Sequence, residues 1–114
     1  MTTVQKQQLN NQELRMCIQG DLDAAALEHL KAEFELLAQS PSNIQLDFSY
    51  VPFIDSSGIG ALVFLFKRMR IENRELHIIG CQGQPLKLLQ HLRVDHTIDI
   101  NHSLATANSA NRLQ

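Results

Sequence analysis

No stretch of this sequence stays apolar long enough to cross a bilayer. The longest run, Ile59 to Phe66, is interrupted by Gly60 and ends at Lys67, well short of the roughly 20 residues a span requires. An excess of charge of either sign is also missing. Ten Lys and Arg stand against 12 Asp and Glu, a formal net charge of -2, so no basic field exists to draw in nucleic acid or an anionic membrane. The amino-terminal Met-Thr-Thr-Val-Gln-Lys-Gln-Gln carries no apolar signal segment, and the expectation is a cytoplasmic protein. Cysteine is scarce. Cys17 and Cys81 lie far apart in apolar, strand-like context and read as buried, reduced thiols rather than a disulfide.

Catalytic signatures are missing as well. Ile54-Asp55-Ser56-Ser57-Gly58 lacks the first glycine of a Gly-x-Ser-x-Gly elbow, and no histidine sits where it reads as the base. Gly58-x-Gly60 is followed by Val63 where a dinucleotide loop needs its third glycine, and no Gly-Lys-Ser/Thr phosphate loop occurs. His29, His77, His91, His96 and His102 show no paired metal-ligand spacing, so surface or half-buried imidazoles are expected. No enzyme activity, metal or cofactor is anticipated. With 114 residues and no linker, repeat or low-complexity tract, the chain reads as one domain over residues 1–114.

The most informative stretch runs from Leu46 to Arg70. Leu46, Phe48 and Tyr50 alternate with Asp47 and Ser49, the pattern of a strand with one buried face. Val51 to Ile54 lead around Pro52 into a polar turn. Asp55, Ser56 and Ser57 are all residues that cap helices, Gly58 and Gly60 are expected to let the backbone turn sharply, and Ala61 to Met69 read as helix ending in Lys67, Arg68 and Arg70. Two hydroxyls and a carboxylate are thus gathered at a helix N-terminus. At 100 degrees per residue Ile59, Leu62, Val63, Phe66 and Met69 form the expected core stripe, leaving Phe64 and Leu65 toward its flank or back. Something should cover them, either the next helix of the domain or a docked partner.

Around this centre the chain alternates. Thr3–Leu9 and Glu13–Gln19 read as a hairpin about Asn10-Asn11, and Asp23 is placed to cap a helix through Gln39 with Leu27, Leu30, Phe34 and Leu37 on one stripe. Asn43–Tyr50 is the central strand, and Glu75–Gly80 a further one. A short helix follows with Pro85 near its start and Leu86, Leu89 and Leu92 as its buried side, then a last strand Thr97–Ile100 and a polar helix over Ser103–Asn111. Strands alternating with helices in this way imply a mixed, mostly parallel sheet opened by an antiparallel hairpin.

The run Phe53-Ile54-Asp55-Ser56-Ser57-Gly58-Ile59-Gly60-Ala61-Leu62, together with Gly20-Asp21-Leu22-Asp23, resembles the motifs of the STAS domain family, in its free-standing form of anti-sigma factor antagonist. The resemblance covers roughly residues 4 to 105. It implies helices packed mainly on one face of the sheet and a non-enzymatic, phosphate-regulated binding module. The serine that follows the aspartate is the phosphorylated one in that family, which carries over to Ser56 and leaves Ser57 as a neighbour. Asp23, Asp55, Ser57, Gly58, Ile59 and Gly60 would then form the surroundings that a partner reads. The implied partners are a serine kinase that is also an anti-sigma factor, or a related switch protein, and a separate serine phosphatase.

Residue chemistry alone keeps other readings open. Asp55 is as well explained by helix capping as by orienting the Ser56 hydroxyl or standing near an incoming phosphate, and for Asp23 an independent cap explains at least as much as an acidic recognition surface shared with Asp55 at one sheet edge. A constitutive STAS-type subunit of a transporter or sensory assembly keeps the fold without the switch, and a small-molecule or nucleotide binder is the further alternative. The partner's identity, the downstream output and the oligomeric state are not written in the sequence.

Overall fold

The computed structural model describes residues 1–102. Its strands are β1 (Thr3–Gln8), β2 (Glu13–Gln19), β3 (Asn43–Tyr50), β4 (Leu76–Ile79) and β5 (Asp99–Ile100); its helices are α1 (Ala24–Gln39), α2 (Ser56–Ile71) and α3 (Gly83–His91). A single turn of 3-10 helix, Val94–His96, precedes β5. The five strands lie in the order β1-β2-β3-β4-β5, with β1 antiparallel to β2 and every later pair parallel. The expected fold class is therefore the observed one. The last strand is shorter than expected because Thr97 belongs to the preceding turn. The helix anticipated over Ser103–Asn111 lies outside the described residues.

Register makes the two faces of the sheet different. Met16 pairs with Leu46, Leu46 with Ile78, and Ile78 with Ile100, so a row of buried apolar side chains crosses the sheet and joins Leu30, Leu62 and Leu89 of the three helices in one core. The alternate row, Gln7, Arg15, Gln45, His77 and Asp99, is polar on every strand. Arg15 donates to Gln45 at 2.6 Å, while His77 bonds Asp99 at 2.5 Å and Glu75 at 3.1 Å. Burial pulls the His77 pKa down, but the bonds to Asp99 and Glu75 outweigh it and hold the imidazole above its ordinary value.

Three side-chain expectations need correction. Leu65 is fully buried, 0% exposed, and belongs to the stripe Gly58, Leu62, Leu65, Met69. Ile59, Val63 and Phe66 are only half-buried. Apolar residues surround α2 almost completely, so periodicity offered two stripes, and the positions of the sheet and α1 selected the other. Phe64 stays 39% exposed over an apolar groove lined by Leu27, Lys31, Phe34, Glu35 and Ala61. The cover of α2 is thus the preceding helix, not the next one. On α3 the buried residues are Pro85 and Leu89, and Leu92 is 51% exposed because the helix has ended before it.

The thiols are free. Cys81 is buried, and burial pushes its pKa up to about 11; Cys17, expected to be buried, is only half so, because it lies on the helix-free face of β2.

Arg74 was not singled out by the sequence, yet it closes the bottom of the fold. Its side chain, 6% exposed, bonds Glu72 and donates to the carbonyls of Leu37 (3.2 Å), Ala38 (2.6 Å) and Ser42 (3.1 Å). The Ala38 carbonyl is an orphan acceptor at the end of α1, whereas that of Leu37 also accepts from Ser40 N–H at 3.2 Å. Arg74→Met is expected to lower stability by about 2–4 kcal/mol, since it strands buried acceptors. Urea unfolding checks this, and a midpoint equal to wild type would refute it.

Candidate functional site

The candidate site is built where β2 and β3 run out of sheet. Gly20, at φ +118, ends β2 and donates to the Tyr50 carbonyl at 2.9 Å. Beyond it the two chains meet once more at an isolated parallel bridge between Leu22 and Ile54: Leu22 N–H donates to Phe53 O at 2.9 Å and Asp55 N–H to Leu22 O at 3.4 Å. This extra bridge brings the starts of α1 and α2 side by side.

Both helices are capped by the residue after the bridge. Asp23 Oδ1 accepts from Ala26 N–H at 2.9 Å. Asp55 Oδ1 accepts from Ser57 N–H at 2.9 Å and Gly58 N–H at 3.1 Å, and its other oxygen, Oδ2, accepts from Ala24 N–H at 3.1 Å, the first residue of α1. One carboxylate therefore ties together two helix N-termini. Burial works against its ionisation, but the bonds from Gly58, Ala24 and Ser57 outweigh it and hold the carboxyl below the usual range.

The sign of the pH effect follows. A depressed carboxyl pKa gives stability that is present above the ordinary carboxylate range and is lost as pH falls through the folded value. Asp55→Asn should therefore be less stable than wild type at neutral pH, with the gap closing as the solution is acidified. Urea midpoints of both proteins across the acid range measure it, and a gap independent of pH would contradict the assignment.

Ser56 is the first residue of α2 and is exposed; Ser57, the second, is half-buried. The capping role that Asp55, Ser56 and Ser57 could each have taken belongs to Asp55 alone. Gly58 and Gly60 do not turn the chain: both lie inside α2, and neither has positive φ. Gly58 serves close approach, for a Cβ built there would stand 2.3 Å from Leu22 O, whereas one at Gly60 meets nothing within 4 Å. Ile59 is half-buried. The structure thus sets the caps Asp23 and Asp55 at adjoining helix starts, leaves Ser56 exposed, buries Gly58 against Leu22 and puts Gly60 on the open side of the helix.

Gln84 was overlooked. From the first turn of α3 its side-chain oxygen accepts from Ile54 N–H at 2.9 Å and its nitrogen donates to Ile54 O at 2.9 Å. No local signal marks such a residue, since the partner lies 30 positions away. Among the described residues no three His, Cys, Asp or Glu side chains are placed to share a metal ion, and no helix is long and apolar enough to cross a membrane.

The family model of the STAS domain matches residues 4–107 of the chain. The chain belongs to the STAS domain family. A STAS-domain containing protein of Pseudomonas aeruginosa is 29% identical to it over 80 residues, which is 70% of this chain and 79% of the relative. Among solved structures, an anti-sigma factor antagonist from Mycobacterium paratuberculosis superposes with a TM-score of 0.80 at 18% identity, covering 98% of this STAS chain and 95% of its own. The Bacillus cell fate determinant SpoIIAA in its phosphorylated form gives a TM-score of 0.69 at 17% identity, with 98% and 100% covered. At these identities the likeness establishes the fold, that of free-standing anti-sigma factor antagonists.

Proposed function

We propose that this STAS domain is a phosphorylation-regulated binding module of the anti-sigma factor antagonist type, with Ser56 as the switch. The observation that carries the proposal is the division of labour at the start of α2. Asp55 holds the Ser57 and Gly58 N–H groups, so exposed Ser56 is not needed as the cap and its hydroxyl can be modified without unravelling the helix. A phosphate there adds about -1.5 to -2 charge. With the Ser57 and Gly58 N–H groups already given to Asp55, that charge remains on the surface at the paired starts of α1 and α2 instead of being drawn into the fold. A partner that docks on the turn meets it directly.

In this reading the unphosphorylated form binds a serine kinase of the anti-sigma type or a related switch protein, phosphate on Ser56 releases it, and a separate serine phosphatase resets the module. The kinase supplies the chemistry and ATP, which places the module in the cytoplasm; the chain itself binds and is modified. Site-resolved mass spectrometry of protein from growing cells, across several growth conditions, tests the assignment. Phosphate is expected on Ser56 and not on Ser57, whose direction differs by about 100 degrees around the helix. Phosphate mainly on Ser57, or none on Ser56 under any condition, would defeat it, the latter in favour of a constitutive subunit.

A further inference from the structure

Ile54 is the residue on which the switch turn hangs, and its backbone is held from two sides. On one side the bridge to Leu22 is made through the N–H and C=O of its neighbours, Asp55 and Phe53. In a parallel strand the N–H and C=O of Ile54 itself then face the opposite way, where β4 would stand if the sheet continued. It does not: β3 and β4 pair only from Ile44↔Leu76 to Asp47↔Ile79. Ile54 is fully buried, and an unmatched N–H and C=O there would be costly. Gln84 fills both, at 2.9 Å each. A primary amide carries one acceptor and donors in the same plane as a peptide group, so this side chain stands in for the absent strand.

We infer that Gln84 is a positioning residue for the Ser56 turn, fixing Ile54 against α3 so that Asp55 is held where its carboxylate can bridge α1 and α2. The inference rests on the reading of Ser56 as the switch for its functional half only; the clamp itself is a property of the isolated protein. Removing the clamp frees Ile54, lets Asp55 swing, and weakens the bonds to Ala24, Ser57 and Gly58. The turn that a kinase or partner must recognise is then presented in many geometries instead of one.

The test uses the whole chain with Gln84→Met, which keeps the length and removes the hydrogen bonds, and Gln84→Asn, which keeps the amide but is one methylene too short. Amide exchange by NMR should show Ile54 opening about tenfold faster relative to Leu46 and Ile78 in the sheet, the scale of a lost hydrogen bond. The Asp55 carboxyl should titrate at higher pH than in wild type, a change that a general loss of stability would not produce. Exchange at Ile54 that moves only in step with Leu46 and Ile78, or an unchanged Asp55 titration, would overturn the inference, as would unfolding of both variants. In cells, Ser56 phosphate occupancy should fall in Gln84→Met at equal protein abundance, and equal occupancy would overturn the functional half. Absence of Ser56 phosphate in the wild type would defeat the switch reading instead, while the exchange and titration results still judge the clamp.

Discussion

Ser56→Asp is expected to lose partner binding while remaining folded, and Ser56→Ala to hold the partner under conditions that dissociate the wild type. The structure makes this pair of mutants unusually clean. Because Asp55 is the N-cap, neither substitution removes a capping bond. Alanine at the first helical position is at least as good a helix former as serine, and aspartate there interacts favourably with the helix dipole. Both proteins should therefore melt close to wild type. Any difference in binding is then a charge effect: a carboxylate on the turn must be desolvated on docking or face Asp55 and Asp23. One charge without tetrahedral oxygens is an imperfect copy of phosphate, so a partial loss is enough. Thermal melts with pull-downs on both mutants decide the matter. A folded Asp mutant that binds as tightly as Ala removes the electrostatic switch.

Gly58→Ala and Gly60→Ala should move stability in opposite directions, although the two glycines are two residues apart on one helix. At Gly60 an added methyl meets open space, and replacing a helical glycine by alanine gains about 0.5–1 kcal/mol. At Gly58 the same methyl stands 2.3 Å from Leu22 O. That oxygen is main chain and already accepts from Asp55 N–H, so it cannot swing aside as a side chain would. Either α2 lifts from the Leu22–Ile54 bridge or the bridge breaks. A net loss of about 1–3 kcal/mol is expected, the usual cost of overpacking. Circular dichroism melts of the two single mutants measure both signs. Equal behaviour of the pair would show that α2 does not approach Leu22 as closely as described. Since the strain falls on the residues beside Asp23 and Asp55, Gly58→Ala should also weaken partner binding, and Gly60→Ala should not.

The order of strands and helices as far as β5, the capping of α1 by Asp23 and the extent of β2 and β3 followed from the sequence alone. Each depends on short-range physics: the alternation of Leu46, Phe48 and Tyr50, the capping chemistry of Asp, and the helical spacing of Leu30, Phe34 and Leu37. The family was legible for the same reason, because the motif around Ser56 is continuous in the chain. What required the tertiary structure was every relation across long separations. Leu65 rather than Val63 faces the core because α1 and the sheet fix the rotation of α2, and an almost uniformly apolar helix cannot choose its own buried face. Gly58 looked like a turn residue and proved to be a clearance for Leu22 O, which lies 36 positions earlier. The second oxygen of Asp55, the amide of Gln84 and the guanidinium of Arg74 each satisfy backbone groups 30 or more residues away. Hydrogen bonds of that kind leave no period and no local composition to read; they exist only once the sheet has ended where it does and the helices have been laid against it.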